Sequence, residues 1–361
     1  QLVVMASCHN TTGTANTATG FCALAANTTG SENVAVGQRA LLTNTTGAEN
    51  VAIGSSAVRL NTTGCHNVGV GFESLKNNTT ACHNVAVGGC SLFANTTGAS
   101  NTSVGFSALK TNTTGCSNTA MGHVALPSNT TGFRNTAIGK VALYSNTSGN
   151  YNTASGYSAL YANTTGICNV ALGVNATCSN TTGQGQTAIG YHALQHVTTG
   201  NRNTALGGYA AGAVNTGTCN VAIGYIALRC TTSGHFNTAV GSLALQCNTT
   251  GGCNTASGYY ALRENTTGSY STAVGTKALA ANTTGNNQAF GTFTLKSNTT
   301  GTLNNGFGYA ALEENLTGDH NTAMGHAALN KNTSGCLNVS IGYQALCGNT
   351  TGCNNIAIGN Q

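Results

Sequence analysis

The residues able to do chemistry in this sequence are 15 cysteines, nine histidines, seven carboxylates and a recurring Asn-Thr-Thr word. Three cysteine pairs recur at a spacing of 17: Cys65 with Cys82, Cys230 with Cys247, and Cys336 with Cys353. In a chain that stacks on itself with that period, paired Cα atoms fall about 5 Å apart, inside the range a disulfide accepts. Three staples between neighbouring coils are therefore expected, and with them an oxidising compartment. Free thiols and a zinc site are the competing readings. Cys65-His66 and Cys82-His83 do put two Cys and two His together. Neighbouring strand residues point to opposite faces, however, and no CxxC loop bends the four toward one point. The odd total leaves at least one cysteine unpaired or bonded between chains. No metal and no cofactor is expected.

The carboxylates are Glu32, Glu49, Glu73, Glu264, Glu313, Glu314 and Asp319. Glu32 and Glu49 also lie 17 apart, which resembles an acid/base pair, but a solvated turn accounts for them more simply. No Ser-His-Asp order recurs with a supporting pocket. The expectation is a protein that is not an enzyme.

The Asn-Thr-Thr words match the N-glycosylation sequon. They begin at Asn10, Asn27, Asn44, Asn61, Asn78, Asn95, Asn112, Asn129, Asn146, Asn163, Asn180, Asn248, Asn265, Asn282, Asn298, Asn315, Asn332 and Asn349. Asn77, Asn101, Asn175 and Asn338 add further matches. Two readings stand side by side. One is an Asn-Thr turn that stacks well; the other is a surface sheathed in covalent N-glycans, which would keep a charge-poor chain in water.

These words also set the frame that positions everything else. Each step between them is 17 residues, with Val197, Val214 and Thr231 standing in for Asn and one deletion before Asn298. The result is 21 repeats of N-T-T-G-x-x-N-T-A-I-G-x-x-A-L-x-x, and such a period means a solenoid. Seventeen residues are too few for two packed helices and a turn, and Gly, Asn and Thr are poor helix formers. The words N-T-A-I-G and N-V-A-V-G read instead as short alternating strands. Gly fills position 11 of every repeat and position 4 of all but one, where Ala81 stands. Two corners per coil follow, with φ > 0 or a close backbone approach. The predicted fold is an all-β parallel β-solenoid of about 21 coils, a single continuous array over residues 1–361. Each coil should run strand, turn, short strand, turn, giving a rod on the order of 100 Å at the strand spacing.

Position 9 is mostly Ala and position 15 mostly Leu, so the interior is expected to be narrow. Position 7, mostly Asn, is expected to form an inward or corner amide ladder. Positions 8 and 10 flank the Ala on the opposite face, and there Val51 and Ile53, Val85 and Val87, and Val221 and Ile223 are apolar. A strand apolar on both faces is buried on both. The cover expected for the outer face is another copy of the chain, which makes these six residues the predicted oligomer interface. Aromatics at position 12 alternate by coil, as in Tyr157, Tyr191, Tyr225 and Tyr259, and in Phe72 and Phe106. Relief of crowding on the ladder explains this more simply than a carbohydrate-stacking stripe.

The strand words V-A-I-G (Val51 to Gly54, Val221 to Gly224) and T-A-I-G (Thr136 to Gly139, Thr187 to Gly190) resemble the head repeats of trimeric autotransporter adhesins. They are also similar to repeat arrays of phage tail fibres and environmental surface proteins. The resemblance covers essentially the whole chain and implies a left-handed β-roll, a homotrimer and a place on host surfaces or matrix. The 17-residue spacing, the cysteines and the lack of a neck, stalk or membrane anchor depart from the adhesin pattern.

Composition narrows the rest. Charged residues make up 5% of the chain and the net charge is +5 with no basic run, so no nucleic-acid footprint is present. No apolar stretch approaches the roughly 20 residues that span a bilayer. The reading is an extracellular structural fibre or adhesin shaft whose partner is itself. The alternatives are an ice-binding or a carbohydrate-binding solenoid, weakened respectively by a single Thr-x-Thr strand (Thr17-Ala18-Thr19) and by too few carboxylates. The repeat is cut partway through a coil at Gln1 and at Gln361, without polar capping repeats. Flanking domains or head-to-tail stacking into a filament are expected.

Overall fold

A computed structural model describes residues 6–361. Its contacts group the chain into two units, Gln1–Thr182 and Gly183–Gln361, built from the same coil. The first unit carries ten parallel strands of three residues, from β1 (Thr17–Thr19) to β10 (Val170–Leu172). Each of the first nine pairs with the strand one repeat on, as where Val51, Ala52 and Ile53 face Val68, Gly69 and Val70. The second unit carries eleven such strands, from β11 (Thr187–Ile189) to β21 (Ile356–Ile358), beginning with Thr187 opposite Thr204. The predicted β-solenoid of 17-residue coils is the fold observed. Among the described residues no helix is long and apolar enough to cross a membrane.

The coil from Asn129 shows how the sequence makes this shape. Its strand, Thr136–Ile138, bonds forward through Thr136 N–H to Asn152 O (2.8 Å). Gly139 N–H bonds back to Met121 O (2.8 Å). Gly139 then turns the chain at φ 124°, where an added Cβ would lie 2.7 Å from Gly156 O. The corner at position 4 is glycine for a different reason. Gly132 has no positive φ, but a Cβ there would meet its own coil's Asn129 Oδ1 at 2.3 Å.

The second segment of the coil departs from expectation. Positions 12–17 form no second strand. They form a run of turns in which positions 13 and 15 are left-handed, as Val141 (φ 53°) and Leu143 (φ 51°). This alternation points successive N–H groups in opposite directions. Val141 N–H reaches back to His123 O (3.2 Å) and Leu143 N–H forward to Ala159 O (3.0 Å). A left-handed residue with a Cβ costs about 1–2 kcal/mol, and the intercoil hydrogen bonds hold it in place. Position 6 is a third left-handed corner, seen at Arg134 (φ 53°). The shortened coil from Asn282 dispenses with that residue: its neighbours have Tyr270 (φ 61°) and Leu303 (φ 56°) there, and Asn286 runs straight into Asn287.

The interior is narrow, as predicted. Ala137, Ala142 and Leu143 are fully buried, and so are two asparagines, Asn129 and Asn135. Thr177 occupies the place Leu holds in most coils, is left-handed at φ 51°, and buries an Oγ1 with no hydrogen-bond partner. Replacing Thr177 with Leu should stabilise the first unit by about 1–3 kcal/mol, the cost of an unsatisfied buried polar group. A β-branched residue in the left-handed region adds to the strain that Leu would relieve. Urea denaturation checks this, and an unchanged or lowered midpoint contradicts it.

Candidate functional site

Two amide ladders line each unit. At position 1, Asn129 Nδ2 donates to Asn112 Oδ1 (2.8 Å) in the preceding coil and to Gly132 O (2.9 Å) in its own. At position 7 the connection is denser. Asn135 N–H and Nδ2 both reach Asn118 Oδ1, at 3.0 and 3.2 Å, and Nδ2 also donates to Gly149 O (2.8 Å) in the next coil. The position 7 ladder was legible in the sequence. The position 1 ladder was not, because its Asn reads as an exposed turn and sequon.

This placement favours the stacked-turn reading of the Asn-Thr-Thr words over the glycan reading at position 1. Of the eighteen position 1 asparagines named above, all except Asn10 and Asn349 are fully buried. Their side-chain amides are engaged in the ladder, so a sugar on Nδ2 would break the stack and expel the side chain. Asn101 and Asn338, two further sequon matches, are buried as well. What faces solvent is position 3, where Thr29, Thr46 and Thr63 are exposed. A hydroxyl persists there at Thr199, Thr216 and Ser233, where position 1 holds no Asn. The hydroxyl column is thus independent of the sequon.

The three predicted disulfides are not formed either: Cys65, Cys82, Cys230, Cys247, Cys336 and Cys353 are all free thiols. Stacking does bring the pairs together, but the sulfurs engage backbone. Cys65 N–H donates to Cys82 Sγ (3.1 Å) and Cys336 N–H to Cys353 Sγ (3.0 Å). Cys65 Sγ in turn donates to Thr63 O (3.4 Å). Side chains at one repeat position share one direction, so each sulfur lies over the neighbouring coil's backbone. At the third pair, burial, the Glu264 carboxylate and the Cys230 thiol push the Cys247 thiol up to about 11. An ordinary thiol titrates near 8.5, so Cys247 holds roughly three hundredfold less of the reactive thiolate at neutral pH. Alkylation of the native protein at pH 8 should therefore label exposed Cys253 long before Cys247, with the gap closing only above about pH 10. Equal labelling rates in peptide mapping would contradict it.

The remaining candidates separate in the same way. Glu49 pairs with His66 Nδ1 (3.0 Å), one coil on at position 6, and His66 stacks on His83 (5.0 Å between centroids). This is an exposed column in which Glu32 takes no part through any observed ion pair. Among the described residues no group of three or more His, Cys, Asp or Glu could hold a metal ion. The position 12 rings are exposed, and the space beside them does not require their alternation with small residues. A Cβ on Gly89 would touch the Phe106 ring at 3.5 Å, and one on Gly208 the Tyr225 ring at 3.6 Å. Elsewhere rings stack directly, as Tyr309, His326 and Tyr343 do at 5.1 and 5.2 Å.

On the strands, the centre residue points inward and the flanking residues outward. Ala52 is fully buried while Ile53 is 42% exposed. Val51, Val85, Val87, Val221 and Ile223, the other residues assigned to an interface, are each half-buried. Position 10 thus makes an apolar column, continued by Val36, Met121 and Ile138 in the first unit and by Ile189, Leu206 and Met324 in the second. No protein-family model matches the chain, and no curated protein matches it.

Proposed function

We propose that the chain is a non-enzymatic structural protein that builds the shaft of an extracellular fibre or adhesin by assembling with copies of itself, as a homotrimer. One observation carries this reading: the position 10 column, one outward side chain per coil and apolar in most coils, which none of the described residues fully covers. Contiguous exposed apolar surface of this kind marks association sites. The trimer and the extracellular setting rest in addition on the resemblance of the V-A-I-G and T-A-I-G words to adhesin heads. The exposed position 3 hydroxyls supply hydration on a surface that charged residues hardly furnish.

The test is assembly state. Sedimentation equilibrium of the native protein should give a trimer. The double variant Ile53→Asp, Ile223→Asp should sediment as a monomer, because each substitution would bury an unpaired carboxylate at a cost of about 3–5 kcal/mol. A monomeric native protein would overturn the proposal.

A further inference from the structure

Charge is scarce in this chain, yet three of its 12 Lys and Arg residues converge on one cleft in the second unit. The cleft has a volume of about 510 Å³ and is lined by Tyr260, Arg263, Lys277, Ala280 and Lys296 among others. Its origin lies in the repeat. Positions 16 and 17 hold Arg263 and Glu264 in one coil, Ala280 and Ala281 in the next, and Lys296 and Ser297 in the one after. Two small residues between coils with long side chains leave a notch about two strand spacings across.

The walls are chemically specific. The Arg263 guanidinium lies over the Tyr260 ring (4.8 Å), and the Lys277 and Lys296 ammonium groups lie over the Phe293 ring (5.9 and 5.2 Å). Two of the three cations already have carboxylates: Arg263 pairs with Glu264 (3.1 Å) and Lys296 with Glu313 (3.2 Å). Lys277, half-buried at the notch, belongs to none of the ion pairs among the described residues. A cleft with an unmatched cation, aromatic surface and an alanine floor favours a ligand with one carboxylate and an apolar ring face.

We infer that this notch binds an acidic sugar residue, its carboxylate on Lys277 and its C–H face against the Ala280 and Ala281 floor. A uronic acid in a linear polysaccharide has that chemistry and can lie along a surface notch open to solvent. The site is independent of the structural role proposed above, since its residues lie at positions 13, 16 and 17 and the apolar column at position 10.

The experiment titrates the full-length protein with oligogalacturonate and, separately, with a neutral galactose oligomer of equal length, following saturation-transfer NMR and calorimetry. Saturable binding of the acidic oligomer only, weakened by salt, is expected. Lys277→Met should weaken it at least tenfold, Lys277→Arg should retain it, and Lys110→Met in the other unit should leave it unchanged. Ala280→Trp, which fills the notch from a surface position, should abolish it while the circular-dichroism spectrum is kept. Equal binding of the two oligomers, binding of neither, or acidic binding indifferent to both Lys277→Met and Ala280→Trp would overturn the assignment.

Discussion

Asn118→Leu should destabilise the first unit severely, whereas Asn112→Val, six residues away in the same coil, should cost about half as much. Both side chains are fully buried asparagines in an amide ladder. The difference is what depends on them. Asn118 Oδ1 is the acceptor for Asn135 N–H and Nδ2 (3.0 and 3.2 Å), and its Nδ2 donates to Asn101 Oδ1 (3.2 Å) and Gly132 O (2.8 Å). Leu would strand the buried Asn135 N–H and delete three further hydrogen bonds whose partners each keep another: Asn135 Nδ2 to Gly149 O, Gly132 O from Asn129 Nδ2, and Asn101 Oδ1 from Asn118 N–H. At about 1–3 kcal/mol for the stranded group and about 1 kcal/mol for each other lost bond, the loss should reach roughly 4–6 kcal/mol. Asn112 links Asn95 and Asn129 through side chains, and its bond to Gly115 O is duplicated by Asn101 Nδ2, so no backbone N–H depends on it.

The chain itself records this asymmetry. Position 1 accepts buried Val197 and Val214, while the exceptions at position 7 are polar and keep the carbonyl bond. Gln186 donates through Nε2 to Gly200 O, and Ser271 through Oγ to Gly285 O (2.8 Å). Asn112→Val should therefore cost about 2–3 kcal/mol, roughly 1 kcal/mol for each of the three hydrogen bonds lost with no backbone N–H stranded. Because coils couple mainly to their neighbours, amide exchange should accelerate first around residues 101–135 in the Leu variant. Equal denaturation midpoints for the two variants would refute the distinction.

Gly54→Ala should be comparably damaging. Gly54 sits at φ 132°, and an alanine Cβ would lie 2.6 Å from Gly71 O and 2.7 Å from Gly71 C. Both the backbone conformation and the space exclude it, and the obstacle is backbone that carries the next coil. A loss of at least about 3 kcal/mol is expected. Gly89→Ala is the control. Its φ is not positive, and its added Cβ would meet only the Phe106 ring at 3.5 Å, an ordinary contact. That change should stay within about 0.5 kcal/mol. Thermal unfolding of the two variants beside the parent decides the matter; a similar Tm for both would contradict the assigned role of position 11.

The sequence by itself determined the coil. A strict 17-residue period, glycine at position 11 of every repeat and the Ala and Leu columns admit one arrangement, because only stacking in register keeps each of those residues in the same environment along the chain. The outward direction of Ile53 also followed from strand alternation around Ala52. Tertiary structure decided what local pattern cannot express. Asn27 and its counterparts look like surface turn residues until stacking supplies the preceding coil's Oδ1, and only then is burial affordable. Val141 and Leu143 carry no local signal for left-handed backbone, since that conformation is unfavourable in isolation and holds only through hydrogen bonds to the coils on either side. The cysteine spacing was read correctly as proximity, but sulfur direction is set by the backbone of a corner, and there Cys82 Sγ meets Cys65 N–H (3.1 Å) rather than another sulfur. The notch at Ala280 needed both levels: the sequence chose small residues there, and stacking placed Arg263 and Lys296 on its two sides.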